Sequence, residues 1–183
     1  MNAKKILSGF SYFEDFITLE EEQLLLDKLS ELSWQTIKMY NKIAKRRVVH
    51  FGLDYLYANR SVTPTTPPPL FLRPFIKRAS SLIKIAPEEI AEILITEYPV
   101  NAGIGWHKDA PLFDKIFGIS LNNTCTIKFR TKCGGKYHIE KMKLAPRSAY
   151  LLTGASRTEW QHSIPAVKNA RYSITFRTLR AVI

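Results

Sequence analysis

The sequence has few of the residues that hold covalent or thiolate scaffolds together. Its 183 residues include two cysteines, Cys125 and Cys133. Two thiols cannot supply a disulfide framework or complete a thiolate zinc site, so free thiols in a reducing compartment are expected. Histidine is scarce too, with four in the chain. Acidic residues are the minority charge, 16 Asp and Glu against 27 Lys and Arg, for a net charge of +11. Such a surplus attracts polyanions, and nucleic acid is the commonest of these, although a basic solvated surface has the same composition. Long apolar runs are missing as well. Met1–Lys5 leads into a mixed polar stretch without the apolar core of a secretory signal, and no segment is long enough to span a membrane. These absences predict an intracellular protein, cytoplasmic or nuclear, with no membrane partner.

What is present suits one globular domain over residues 1–183: 45% hydrophobic residues, 23% charged and no repeat. Thr18-Leu19-Glu20-Glu21 has the form of a capping box, and Leu24, Leu25, Leu29 and Leu32 follow at helical spacing. A second helix is expected from about Pro74 to Ile83, with Lys77 and Arg78 outward. Between them lie a basic stretch, Lys38–Arg47, a strand-like aromatic run, Val48–Tyr57, and a proline cluster, Thr63–Pro69, that reads as a loop. From residue 93 onward short β-rich runs dominate: Ile93–Tyr98, Lys115–Leu121, Thr124–Arg130, Lys136–Lys143, Ser148–Leu152 and Arg171–Leu179. Turn residues separate several of them. The pattern predicts α+β architecture, two helices packed on one β-sandwich.

His107-Lys108-Asp109 places an imidazole and a carboxylate two residues apart, on one side of an extended segment. His162 is the natural third ligand, and two His with one carboxylate leave three octahedral positions open, the facial arrangement of non-haem iron(II) oxygenases. The same residue types also suit catalytic zinc, or ordinary polar strand ends. His50 and His138 are weaker ligand candidates. Arg171-Tyr172-Ser173-Ile174-Thr175-Phe176-Arg177 puts two arginines on one face of a strand. On an inward face they call for an anion, such as a dicarboxylate co-substrate; on an edge strand they are a solvated basic face.

Taken in order, these motifs resemble the AlkB family of iron(II)- and 2-oxoglutarate-dependent dealkylating dioxygenases. The resemblance rests on Ile95-Thr96-Glu97-Tyr98, His107-Lys108-Asp109, Ile119-Ser120-Leu121, Trp160–Pro165 and Arg171–Arg177. Upstream, Phe16-Ile17-Thr18, Trp34 and the run Phe51–Tyr57 are similar too. It implies a double-stranded β-helix (jelly-roll) core over residues 93–183. Residues 1–92 would supply N-terminal helices packed on one sheet and a nucleotide-recognition lid.

The resemblance also implies roles. His107, Asp109 and His162 would hold Fe(II). Arg171 would anchor the distal carboxylate of the co-substrate 2-oxoglutarate, and Tyr98 would hydrogen-bond it. Arg177 would bond Asp109 or the co-substrate. Thr96 and Ser173 stand where many members carry Asn, which bears on the same hydrogen bonds. Phe51, Tyr55 and Tyr57 would contact a base, or pack in the core. Lys45, Arg46, Arg47, Lys108, Lys128 and Arg130 would meet phosphates, or form a solvated face. Trp106 and Trp160 would wall the pocket, or pack in the core. The implied activity is oxidative dealkylation of nucleobases in alkylated DNA or RNA, as in DNA repair, using O2 and releasing an aldehyde. A monomer is expected. The alternatives are the same chemistry on a protein or small molecule, or a nucleic-acid-binding module with a vestigial site.

Overall fold

Period-two patterning sets the strands, and long-range pairing sorts them into two facing sheets. The computed structural model describes residues 3–39, 42–56 and 61–181. Its larger sheet has seven antiparallel strands. In spatial order these are β1 (Phe10–Phe13), β11 (Ala149–Leu152), β8 (Phe113–Leu121), β13 (Arg171–Leu179), β6 (Ile90–Tyr98), β3 (Lys42–Phe51) and β2 (Gln35–Met39). The smaller sheet has four: β10 (Lys136–Leu144), β9 (Cys125–Cys133), β12 (Gln161–Ile164) and β7 (Ile104–His107). A separate hairpin pairs β4 (Leu53–Leu56) with β5 (Ser61–Pro64). This is the expected jelly roll with helices on one sheet.

The helices cover the outer face of the larger sheet. In α1 (Leu19–Ser30) the capping box forms: the Glu21 N–H donates to Thr18 Oγ1 at 3.2 Å, and the Thr18 N–H to Glu21 Oε2 at 2.9 Å. Leu25 and Leu29, with Phe75 and Ala79 of α2 (Arg73–Ile83), pack on Ile93, Ile95, Phe117, Ile119, Ile174 and Phe176. The apolar stripe is narrower than expected, because Leu24 is 49% exposed. Glu22 is buried instead; its carboxylate accepts from the Asn122 N–H and from Arg147. Arg78 does not point outward. It donates to the Glu21 carboxylate and the Phe16 carbonyl, joining the two helices.

Strand parity gives the larger sheet two different faces. On β6, Ile93 and Ile95 face the helices, while Glu92, Leu94, Thr96 and Tyr98 alternate with them and line an interior cavity. On β13, Ile174 and Phe176 face the helices, and Arg171, Ser173, Thr175 and Arg177 have the opposite parity. Between the sheets lies a second core, including Phe10, Ile116, Ile127, Phe129, Leu144 and Leu152. β13 is central, flanked by β8 and β6, so its arginines are not a solvated edge.

Several features depart from expectation. Strands before residue 93 belong to the main sheet: β3 pairs with β6, and β1 with β11. The aromatic run Val48–Tyr57 is not one strand. It breaks at Gly52, whose φ of +80° and 2.4 Å gap from an added Cβ to the Ala91 carbonyl oxygen admit no side chain. The chain turns there into the β4–β5 hairpin. Thr63 and Pro64 belong to β5 rather than to the loop, and Tyr57 lies outside the described residues.

Candidate active site

The smaller sheet sets up the metal triad. His107 ends β7 and His162 lies on β12, and the two are register partners with ring centroids 4.3 Å apart. Asp109 follows β7 by two residues. One potential ligand atom from each of the three lies within 4.8 Å of the others. The His107 Nδ1–H donates to the Gly105 carbonyl at 2.9 Å, which leaves Nε2 for a metal. His162 Nε2 faces Asp109 Oδ2 at 3.4 Å.

Burial prepares these groups to be ligands. It pushes the His162 imidazole down to about 4, so the ring is neutral at physiological pH. Burial alone would raise the Asp109 carboxyl, but His162, Arg177, His107 and Arg157 together hold it well below the ordinary carboxylate range. Arg177 Nη2 donates to Asp109 Oδ1 at 3.2 Å, one of the two options the sequence left for it. Arg157 Nη1 stands 3.6 Å from Asp109 Oδ2.

The β13–β6 register builds the opposite wall. Arg177 pairs with Glu92, Ser173 with Thr96, and Arg171 with Tyr98. Arg177 Nη1 accordingly donates to Glu92 Oε2 at 2.8 Å, and His50 Nδ1 of β3 lies 2.9 Å from the other Glu92 oxygen. A continuous chain of polar contacts thus runs from His50 through Glu92 and Arg177 to Asp109. Arg171 is 0% exposed. Its Nη2 donates to Ser120 Oγ at 3.0 Å, and its guanidinium stacks on the Tyr98 ring at 4.9 Å. Burial pushes the Tyr98 and Tyr150 phenols up, so both remain protonated donors at neutral pH.

A cavity of about 590 Å³ opens beside the triad. His107, Asp109 and His162 line it, as do Tyr98, Thr96, Ser173 and Arg177. Arg171 is not on the wall itself; it sits against Tyr98, which is. From β3 and the hairpin, Arg46, His50 and Tyr55 complete the rim. Tyr55 is also packed edge-on against Phe113.

Phe51 and Arg47, two other expected nucleic-acid contacts, lie elsewhere. Phe51 has the opposite parity to His50 and belongs to the core under the helices. Arg47 likewise points away from the cavity, paired with Glu97 and lying over Trp34 at 5.8 Å. Lys108 does line the cavity, and its ammonium donates to the Thr158 carbonyl. Trp106 lines the cavity, whereas Trp160 packs edge-on against His138.

Sequence reasoning missed Glu92, Arg157, Tyr150 and the bridging role of His50. Glu92 was accessible in principle, since it shares the parity of Thr96 and Tyr98. Arg157 carries no such signal. It comes from a five-residue helix, α3 (Gly154–Thr158), and reaches the carbonyls of Ala110 and Phe113.

A facial triad at the mouth of a jelly roll, with a buried guanidinium on the facing sheet, is the donor set of a non-haem iron(II) oxygenase that uses an anionic co-substrate. Comparison with known proteins agrees. The sequence pattern of the 2OG-Fe(II) oxygenase superfamily matches residues 9–177. An Arabidopsis thaliana protein named "Alkylated DNA repair protein ALKBH8 homolog" is 30% identical over 87% of this chain and 51% of its own length. The Xenopus tropicalis "tRNA (carboxymethyluridine(34)-5-O)-methyltransferase alkbh8" is 29% identical over 88% of this chain and 26% of its own. The chain therefore spans about half or less of these two relatives. The solved structure of OsALKBH1 superposes with a TM-score of 0.75 at 14% identity, over 97% of this chain and all of that one, a likeness of fold. The chain belongs to the 2OG-Fe(II) oxygenase superfamily as an AlkB-type dioxygenase that uses iron(II) and 2-oxoglutarate.

The residues present fit those cofactors. Asp109 Oδ2 and the Nε and Nη1 of Arg171 are buried without hydrogen-bond partners among the described residues. A carboxylate oxygen that accepts no hydrogen bond in a His₂Asp cluster suits a cation, and two guanidinium donors without acceptors suit a carboxylate. No described helix is long and apolar enough to cross a membrane.

Proposed function

We propose that this dioxygenase oxidises alkyl groups on nucleobases of DNA or RNA. It would hydroxylate a carbon bonded to nitrogen, so that the product collapses to the unalkylated base, still in its strand, and an aldehyde. The observation that carries this reading is the reach of the cavity. It runs from the triad to β3 and the β4–β5 hairpin, where Arg46 and Tyr55 present a cation and an aromatic ring. The +11 charge and the names of the two relatives, one for alkylated DNA and one for tRNA, support the same substrate class. A duplex base cannot enter such a cavity while stacked, so the substrate is single-stranded or flipped out.

When bound, iron(II), 2-oxoglutarate and O2 supply the oxidising chemistry: the co-substrate becomes succinate and CO2, and one oxygen atom enters the substrate C–H bond. The protein holds the pieces. His107, Asp109 and His162 take the metal, and Arg177 and Glu92 orient Asp109. Arg171 meets the distal carboxylate, with Tyr98, Thr96 and Ser173 beside it. Tyr55 and Arg46 hold the base and its phosphate at the rim.

The test is anaerobic loading with iron(II), then turnover on a panel of alkylated DNA and RNA oligonucleotides. Succinate and aldehyde should appear in equal amounts. Turnover of a peptide or metabolite, with every oligonucleotide ignored, would overturn the nucleic-acid reading and leave the oxygenase intact.

A further inference from the structure

Six Lys and Arg residues fall between residues 125 and 144, with Glu140 the only acid in that stretch. Strand parity divides this hairpin into two faces. Cys125, Ile127 and Phe129 of β9 and Met142 and Leu144 of β10 point into the core between the sheets. Lys128, Arg130 and Lys132 alternate with the first set, and Tyr137, Ile139, Lys141 and Lys143 with the second. Both sets therefore lie on the outer face of the smaller sheet. Glu140 has the core-side parity and is paired with His138 at 2.9 Å. The outer face of the hairpin thus carries five cations and no carboxylate.

This face also carries ordered aromatic groups. The Arg130 guanidinium lies 4.6 Å from the Trp106 ring and 4.4 Å from the Tyr137 ring, and its Nε donates to Gln161 Oε1 at 2.8 Å. Trp106 is on β7, Gln161 on β12, Arg130 on β9 and Tyr137 on β10, so the stack crosses all four strands. Tyr137 is 50% exposed and Ile139, beside it on β10, 47%. A second cavity of about 350 Å³ lies on the same face, lined by Gly105, Trp106, Lys128 and Ser163. Trp106 borders both this groove and the catalytic cavity, and the residue after it is His107.

We propose that the outer face of the smaller sheet binds single-stranded nucleic acid, holding the nucleotides that flank the one in the catalytic cavity. The inference rests on the nucleic-acid reading above and assigns the path of the strand. The cations are spaced along two adjacent strands, which suits consecutive phosphates. The rings of Trp106 and Tyr137, braced by Arg130, offer flat surfaces on which bases stack whatever their sequence. An acidic peptide would use the charge and leave the aromatic stack without a function. Trp106 is the hinge of the arrangement, since a strand on the groove side reaches the triad by passing its edge.

The test is fluorescence anisotropy of labelled, unmodified single-stranded RNA and DNA with the full chain, across a salt series. Lys132→Glu with Lys141→Glu should weaken binding at least tenfold. It should also shrink the slope of log affinity against log salt by about 1.4, at about 0.7 for each phosphate no longer neutralised. Tyr137→Ala should weaken binding, and Tyr137→Phe should restore it, which a purely electrostatic surface would not show. Turnover of a free alkylated nucleoside should stay unchanged in all of these variants, because none of the residues touches the catalytic cavity. Unaltered oligonucleotide affinity in the charge-reversed and Ala variants would overturn the proposal while leaving nucleobase oxidation standing. So would wild-type binding to polyglutamate or to phosphatidylserine vesicles but to neither oligonucleotide. Failure of the nucleobase reading is separate, and appears as no turnover of any alkylated nucleoside or oligonucleotide.

Discussion

The Tyr150 ring lies across Gly118, its register partner on the neighbouring strand, so closely that a β-carbon there would sit 2.3 Å from Tyr150 Cζ. Glycine at this central strand position is therefore the space in which a cavity-lining phenol rests. Gly118→Ala should push the ring into the cavity, at about 1–3 kcal/mol for overpacking. The half-saturation for 2-oxoglutarate should rise together with a lower Tm. Adding Tyr150→Leu should recover most of the stability; if it does not, the clash lies elsewhere.

Arg171 is a buried cation with two donors that meet no hydrogen-bond acceptor among the described residues. Arg171→Met should leave the metal-free protein as stable or more so, because it removes that unsatisfied charge. The same variant should lose the stabilisation that 2-oxoglutarate gives the iron-loaded wild type, about 2.7 kcal/mol at a hundredfold excess over Kd. Thermal shifts with and without co-substrate measure both effects. A full co-substrate shift in the variant would remove Arg171 from the anchoring role.

Glu92 is 0% exposed and ties Arg177 to His50. Glu92→Ala leaves Arg177 buried with one carboxylate fewer, and should cost about 3–5 kcal/mol. Glu92→Gln keeps an acceptor for Arg177 and should recover part of that loss. Both should weaken metal binding, because Arg177 also orients Asp109. Urea denaturation and metal titration followed in parallel separate the two effects.

Stability of the metal-free protein should depend on pH through His162. Its folded-state value is about 4 against an ordinary 6.5. Within that window the unfolded chain takes up the proton and the folded one does not. Stability is therefore fully present above about pH 6.5 and is lost as the pH falls through about 4. Asp109, also depressed, continues the loss at lower pH. Metal-dependent stabilisation should fade over the same range as protons compete for the ligands. Urea midpoints across pH follow both, and His162→Gln should flatten the upper part of the profile.

Some of this was fixed by local chemistry and could be read along the chain. The capping box at Thr18 and Glu21, the alternation in Arg171–Arg177 and the i, i+2 spacing of His107 and Asp109 all depend on neighbouring residues. Helical and strand periods act over a few positions, so those features survive any uncertainty about the rest of the fold. Parity also divides each strand into two faces. What it leaves open is which face turns inward and what stands across from it, because that depends on register between segments far apart in the chain. Phe51 and Arg47 show the consequence: the residues alone left Phe51 open between a base contact and the core and Arg47 between a phosphate contact and a solvated face, and β3–β6 pairing turned both to the helix side, leaving Arg46 and His50 at the cavity. Glu92 meets Arg177 across 85 residues, and Arg157 reaches Asp109 from a short helix without a periodic signature. The Trp106–Arg130–Tyr137 stack needs all four strands of the smaller sheet side by side. The residue types of the site were therefore set by the sequence, whereas their convergence on one cavity, and the cationic face beside it, came from long-range pairing.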